Sequence, residues 1–214
     1  MLKYLICIPT YNEAETIESI IYRFNQLLFT NYTVDILVID DNSPDGTADI
    51  VDNLSSRIPL YVLKREKKEG LGPAYLAGFT WGLERDYDYF VECDADGSHH
   101  PEELERFIQS INTADLILGT RWMQGGKVLN WPLHRRLISR LGTYYAKQVL
   151  RLPYRDLTGG FRLISRDLLN KVDYKKIITR GYGFQIEMVL RAHRKNFRIT
   201  EVPITFEERR LGQS

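Results

Sequence analysis

Short apolar runs rich in β-branched and aromatic residues recur along this chain, at Tyr4–Pro9, Val34–Asp40, Leu60–Lys64, Tyr89–Cys93 and Leu116–Gly119, and none alternates cleanly with polar residues. A strand with one wet face would alternate; an unbroken apolar run suits a parallel strand covered on both faces. Amphipathic stretches separate the runs, at Ala14–Leu28, Thr47–Leu54, Pro73–Glu84 and Pro101–Ile111. This order predicts an α/β fold with a doubly wound, mostly parallel sheet. In such sheets ligands collect beyond the carboxyl ends of the strands.

The second half is less regular. It predicts a helix over Leu133–Leu150 after the Gly125-Gly126 turn, a strand over Phe161–Ile164 after Gly159-Gly160, and a helix over Phe184–Lys195. Arg198–Phe206 reads as an edge strand, because Pro203 interrupts it. With no repeat, linker or low-complexity segment, residues 1–214 are expected to form one domain.

Composition narrows the possibilities. At 43% hydrophobic and 27% charged residues the chain is too apolar for disorder. Lys+Arg 29 against Asp+Glu 28 excludes a general polyanion or nucleic-acid binder, so an anion site must be a local cluster. The longest uncharged stretch, Gly70–Leu83, is too short and too broken by Gly and Pro to cross a bilayer. Pro9 ends the first apolar run too early for a signal peptide. Cys7 and Cys93, both in strand-like runs, read as reduced core thiols of a cytosolic protein.

Polar clusters follow several strands. Pro9-Thr10-Tyr11-Asn12-Glu13 follows the first, where capping of the next helix is the ordinary explanation. Asp40-Asp41-Asn42-Ser43-Pro44-Asp45-Gly46-Thr47 follows the second. Turn and cap chemistry accounts for Asn42 to Thr47, whereas one of the adjacent carboxylates Asp40 and Asp41 is expected to face the ligand crevice. Asp94-Ala95-Asp96-Gly97-Ser98-His99-His100 follows the fourth. Two close carboxylates repel and need a cation between them; hard oxygen ligands suit Mg²⁺ or Mn²⁺ with substrate phosphates completing the shell. An isolated Asp-x-Asp is commonly a plain acidic loop, but beside two other polar strand ends it reads as a metal site. His99 and His100 read as loop residues or hydrogen-bond partners, since a zinc site wants more His or Cys than this chain offers. Arg121, leaving the fifth strand, suits a fixed cation near a diphosphate, although a surface ion pair is the usual fate of a single Arg.

Together with Gly70-Leu71-Gly72, Asn130-Trp131-Pro132-Leu133-His134-Arg135-Arg136, Thr158-Gly159-Gly160-Phe161-Arg162 and Val202-Pro203-Ile204-Thr205-Phe206, these segments resemble, in order and over nearly the whole chain, the family-2 inverting glycosyltransferases of GT-A fold. The resemblance is strongest to polyprenol- or dolichol-phosphate mannose synthases. It implies a nucleotide-sugar pocket from Pro9, Tyr11, Glu13, Ile39 and Asp41, with Asp94 and Asp96 as the metal pair and Ala95 beside the ribose. It further implies Arg121 as a contact to the sugar nucleotide, Gln185 and Glu187 around the donor sugar and acceptor, and Arg209 as a late phosphate-gripping residue. Some relatives carry Gln where Ser98 stands, which leaves a third protein ligand at that position open. The family motif that contains Arg209 also continues past Ser214 with a Lys; a membrane-anchoring tail or partner subunit is one expectation here, action without it the other.

The implied reaction moves mannose from GDP-mannose to a polyprenyl or dolichyl monophosphate with inversion. A phosphate nucleophile is already ionised and needs no general base, while Asp94, Asp96 and Arg121 act on the departing diphosphate. Lys127, Arg135, Arg136, Arg140 and Arg209 are the candidates for the acceptor phosphate. The lipid acceptor implies peripheral attachment at the cytoplasmic face of a membrane. Trp131, Leu133, Leu137, Ile138, Leu141, Tyr144 and Tyr145 recur at helical spacing, which fits an interfacial helix but fits a core-facing one better. The rivals are a UDP-sugar transferase of the same fold, in which a hydroxyl acceptor would require a base such as Glu187, and a non-catalytic sugar-nucleotide-binding subunit. A nucleotidyltransferase would open with a Gly-rich basic loop that Pro9–Glu13 lacks.

Overall fold

The computed structural model describes residues 1–27 and 32–208. A seven-stranded sheet runs in the order β3-β2-β1-β4-β7-β5-β8. Its strands are β1 (Leu2–Thr10), β2 (Tyr32–Asp40), β3 (Leu60–Lys64), β4 (Tyr89–Glu92), β5 (Leu116–Thr120), β7 (Arg162–Ser165) and β8 (Ile199–Pro203). All neighbours pair in parallel except β7, which lies antiparallel between β4 and β5. A separate parallel pair joins β6 (Lys127–Leu129) to β9 (Thr205–Glu207).

Because both faces are covered, side chains of β1 alternate between two cores. Tyr4, Ile6 and Ile8 pack under α1 (Ile17–Asn25), α2 (Thr47–Ser55) and α4 (Leu104–Gln109). Leu5 and Cys7 pack under α3 (Leu71–Leu83), α6 (Arg166–Lys171) and α7 (Tyr182–Arg194). That two-sided burial is why the strands read as unbroken apolar runs, and it leaves Cys7 and Cys93 buried as free thiols in different cores.

The strand order reverses direction between β1 and β4: β2 and β3 extend one way, β4 and β7 the other. This is the switch point where a crevice opens at the carboxyl ends of the strands. The edge position of β8 agrees with the sequence, but Arg198–Phe206 is not one strand. Ile204 breaks it, and Thr205–Glu207 leaves the main sheet to pair with β6.

The helix α5 (Leu133–Leu150) overturns the core-facing expectation. Leu133 is 81% exposed and Tyr145 71%, and Leu137, Ile138, Leu141, Tyr144 and Val149 are exposed as well. At about 100° per residue these side chains form one stripe roughly 160° wide. The inward face is instead built from the buried Thr143 and from Ala146 and Leu150, which pack on the core. Small residues seat the helix and large apolar ones face outward. Among the described residues no helix is long and apolar enough to cross a membrane.

Candidate active site

The loops after β1 and β2 are locked to each other. Asp40, buried at the end of β2, accepts from Thr10 Oγ1 (2.8 Å), Ser43 Oγ (2.6 Å) and the Ser43 amide (2.8 Å). Ser43 Oγ accepts from the Asn12 amide (3.1 Å), and Thr47 Oγ1 accepts from the Glu13 amide (3.0 Å). Asp45 accepts from the Thr47 and Ala14 amides, and its carboxyl is held below the usual range: burial opposes this, but hydrogen bonds from Thr47 and Ala14 prevail. Asn12 and Asn42 sit at φ 60° and 59°, a region that Asn tolerates better than most residues, so each loop turns sharply off its strand. Pro9, Tyr11 and Glu13 are thereby placed on the crevice wall.

That wall encloses a cavity of about 380 Å³ lined by Pro9, Thr10, Tyr11, Glu13, Asp41, Lys68, Gly70, Leu71, Ala74, Asp94, Ala95 and Asp96. The structure thus brings together most residues of the expected nucleotide-sugar pocket with the paired carboxylates. Asp41, rather than Asp40, faces the crevice, yet its oxygens are engaged: it pairs with Arg65 and accepts the Glu69 and Gly70 amides at 3.0 Å each. These contacts bend the 65–70 segment over the pocket. Lys68 was missed from sequence, where the run Arg65–Glu69 looks like ordinary charged surface; its ammonium lies 3.8 Å above the ring of Tyr11.

After β4, Asp96 turns back so that its Oδ1 accepts the Ser98 amide (2.9 Å), a turn completed by Gly97 at φ 74°. Asp96 also lines a second cavity, of about 200 Å³, with Glu15, Thr16, Ser19, Arg23, Gly97, Glu207 and Glu208. The Asp94 side chain is 31% exposed, and its Oδ2 lies 3.4 Å from Nε2 of His99. Among the described residues no group of three or more His, Cys, Asp or Glu could by itself hold a metal ion. Two carboxylates on a cavity wall fit the donor set of a hard cation whose shell is completed by ligand oxygens.

Several expected site residues lie elsewhere. Ile39 is fully buried and packs against Gly78 of α3, beneath the pocket floor. Arg121 is buried in an ion pair: Nε donates to Asp156 Oδ2 (2.7 Å), and Nη2 to Asp156 Oδ1 (2.8 Å) and Thr158 Oγ1 (3.0 Å). The strand end feeds this side chain into the interior, between Trp122, Trp131 and Phe206, and not into the open crevice. Glu187, one turn before Arg191 on α7, is bonded to Arg191 and Thr179, and these contacts hold its carboxyl below the usual range against the effect of burial. Gln185 is buried, its side chain set against the Glu92 carboxyl and its backbone carbonyl accepting from Arg162 (2.7 Å). Ser98 is buried with Oγ unpaired and lines neither cavity.

Beneath the carboxylate loop lies a buried polar cluster that sequence reading passed over. Arg162 is fully buried and donates to the carbonyls of Gly159 (2.9 Å), Gln185 (2.7 Å) and Leu157 (2.7 Å). Its Nε stands 3.9 Å from Glu92, whose carboxyl is pushed up to about 7 by burial, with Arg162 opposing only in part. Burial, then the charges of Asp94 and Asp96, pushes the Cys93 thiol up.

Of the expected acceptor cations, Arg135, Arg136 and Arg140 lie on α5 itself. Lys127 is exposed on β6; Arg135 pairs with Glu208 (2.6 Å) and lies over Trp131; Arg136 donates to the Val128 carbonyl (2.8 Å); Arg140 lies over Trp122. Arg209 lies outside the described residues.

Fold and crevice define an α/β protein that presents two carboxylates to a ligand at the switch point of a doubly wound sheet. Residues 5–173 match the family described as Glycosyl transferase family 2. The chain is 47% identical over 214 residues to an undecaprenyl-phosphate mannosyltransferase of Micrococcus luteus, covering all of this chain and 87% of that protein. It is 45% identical over 213 residues to a polyprenol monophosphomannose synthase of Mycolicibacterium smegmatis, covering 98% of this chain and 79% of the relative. In fold it is similar to glucosyl-3-phosphoglycerate synthase from Mycobacterium tuberculosis, solved with Mn²⁺, UDP-glucose and phosphoglyceric acid (TM-score 0.74, 19% identity, 99% of this chain and 73% of that one). The chain belongs to glycosyltransferase family 2, with the GT-A-like fold that the sequence predicts, and is a glycosyltransferase.

Proposed function

We propose that this enzyme transfers mannose from GDP-mannose to a polyprenyl or dolichyl monophosphate, inverting the anomeric centre, with Mg²⁺ or Mn²⁺. The observation that carries the reading is the placement of Asp94 and Asp96 on one cavity wall with Pro9, Tyr11 and Glu13. The names of the two mannosyltransferase relatives support the lipid-phosphate acceptor and the transferred sugar.

In this reading Pro9, Tyr11, Glu13, Asp41, Lys68 and Ala95 hold the nucleoside, and Asp94 and Asp96 hold the cation. When bound, the cation offsets the charge that develops on the departing diphosphate. Arg121, engaged with Asp156, serves as a brace for the 156–160 loop. The acceptor oxygen is ionised at neutral pH, so no residue has to remove a proton, and Glu187 is free to remain in its pair with Arg191. Lys127, Arg135, Arg136, Arg140 and Arg209 supply cations for the acceptor phosphate.

The exposed stripe of α5, flanked by Arg136, Arg140 and Lys147, supports peripheral attachment to a membrane surface, where a long isoprenoid tail resides. The free buried cysteines suit the cytoplasmic side. The test is a transfer assay offering GDP-mannose and UDP-glucose separately to polyprenyl phosphate with Mg²⁺ or Mn²⁺, with products read by mass. Mannosyl product from GDP-mannose alone is expected. Glucosyl product from UDP-glucose, or nucleotide binding without turnover, would replace the reading with one of its rivals.

A further inference from the structure

His99 is a fully buried imidazole within the carboxylate loop, and neither of its ring nitrogens has a hydrogen-bond partner. Its ring is held between Phe161 (centroids 5.3 Å apart) and Phe206 (5.2 Å, edge to face). Aromatic packing alone would favour a third apolar ring here. Burying a polar ring without partners is costly, so its presence here calls for a physical reason. Its Nε2 lies 3.4 Å from Asp94 Oδ2. A shift of a few tenths of an ångström closes that gap to a hydrogen bond.

The ring also sits at a second connection, which the main chain makes. His99 bridges to Phe206 as an isolated antiparallel pair, and the Glu207 amide donates to the Ser98 carbonyl (2.9 Å). Phe206 in turn receives Trp131 edge to face at 5.2 Å, just before α5. The carboxylate loop and the strand Thr205–Glu207 are therefore joined through the main chain, and the imidazole packs on Phe206 at that junction.

We propose that His99 is a positioning residue for the cation: its Nε2–H donates to Asp94 Oδ2, leaves Oδ1 directed at the metal, and couples metal occupancy to the order of β9. The proposal rests on the assignment of Asp94 and Asp96 as the cation pair. Outer-shell hydrogen bonds of this kind orient metal-ligating carboxylates, and their loss typically weakens metal affinity about 10- to 100-fold.

The test measures Mn²⁺ binding in the presence of GDP, by the loss of the free-ion electron paramagnetic resonance signal. His99→Phe, which keeps the packing but has no donor, is expected to bind Mn²⁺ about 10- to 100-fold more weakly. His99→Gln, which can donate, should recover part of that loss. Amide exchange at Phe206 and Glu207 should slow on Mn²⁺ addition in the wild type and not in His99→Phe. Equal Mn²⁺ affinity in wild type and His99→Phe would overturn the proposal. Long-range ¹H–¹⁵N spectra of the wild-type ring give a readout that does not depend on any variant folding. A proton on Nε2 is required, and a proton on Nδ1 with a bare Nε2 would overturn the proposal. Failure of the wild type itself to bind Mn²⁺ would instead bring down the assignment of the carboxylate pair, and the role of His99 with it.

Discussion

Gly160 stands against the carboxylate of Asp94: a Cβ at position 160 would lie 2.7 Å from Oδ2 and 3.1 Å from Oδ1. The glycine leading into β7 thus sets where a crevice carboxylate in the loop after the neighbouring strand β4 can rest. Its φ is not in the left-handed region, so alanine fits the backbone, and the mobile carboxylate is what gives way. Gly160→Ala is expected to leave the melting temperature nearly unchanged while weakening Mn²⁺ binding and turnover by about tenfold or more, an outer-shell effect. Calorimetry of unfolding and of Mn²⁺ binding on the same sample separates the two.

Arg121 and Asp156 form a buried pair that also closes on Thr158. Removing one partner strands the other charge without water. Asp156→Ala should destabilise the fold by about 3–5 kcal/mol, whereas Thr158→Val, which deletes a single hydrogen bond to the same guanidinium, should cost about 1 kcal/mol. Urea unfolding curves check both. Equal, small effects would mean that the guanidinium is free to turn into the crevice.

Glu92 gives the metal-free protein a pH signature. Its carboxyl titrates near 7 in the fold against an ordinary value of 4.5, because burial disfavours its charge. The folded state therefore holds a proton that the unfolded chain has released. The contribution is fullest below pH 4.5, declines as pH rises toward 7 and levels off above it, a change on the order of 3 kcal/mol. Glu92→Gln should flatten that slope in EDTA-treated protein, measured by urea unfolding at intervals between pH 4.5 and 8.

The stripe on α5 should be separable from folding. Leu137→Ser with Leu141→Ser alters exposed side chains only, so stability should change by no more than about 0.5 kcal/mol per site. Co-sedimentation with anionic liposomes containing polyprenyl phosphate should fall sharply. Unchanged liposome binding would move the membrane contact off this helix.

The parts of this protein that follow two-sided burial were legible in the sequence. β1, β2 and β5 announce themselves as unbroken apolar runs, and the carboxylate pair stands out because Asp94 and Asp96 end such a run. What periodicity could not carry was direction. The apolar spacing of Leu133–Leu150 is genuine, but spacing does not say which side of a helix meets the core, and here Thr143 and Ala146 take that side. Arg121 leaves its strand at the expected place, and only the distant Asp156 decides that the side chain folds inward. Lys68 and His99 gain their surroundings from Tyr11 and Phe206, partners that no local pattern reveals.

The central assignment is that Asp94 and Asp96 jointly hold a divalent cation against a nucleoside diphosphate. Anomalous scattering from a crystal grown with Mn²⁺ and GDP locates that ion directly. A peak bridging the two carboxylates and the diphosphate oxygens is the predicted result. A peak away from both aspartates, or GDP bound in the Tyr11 pocket with no peak beside it, would contradict the account.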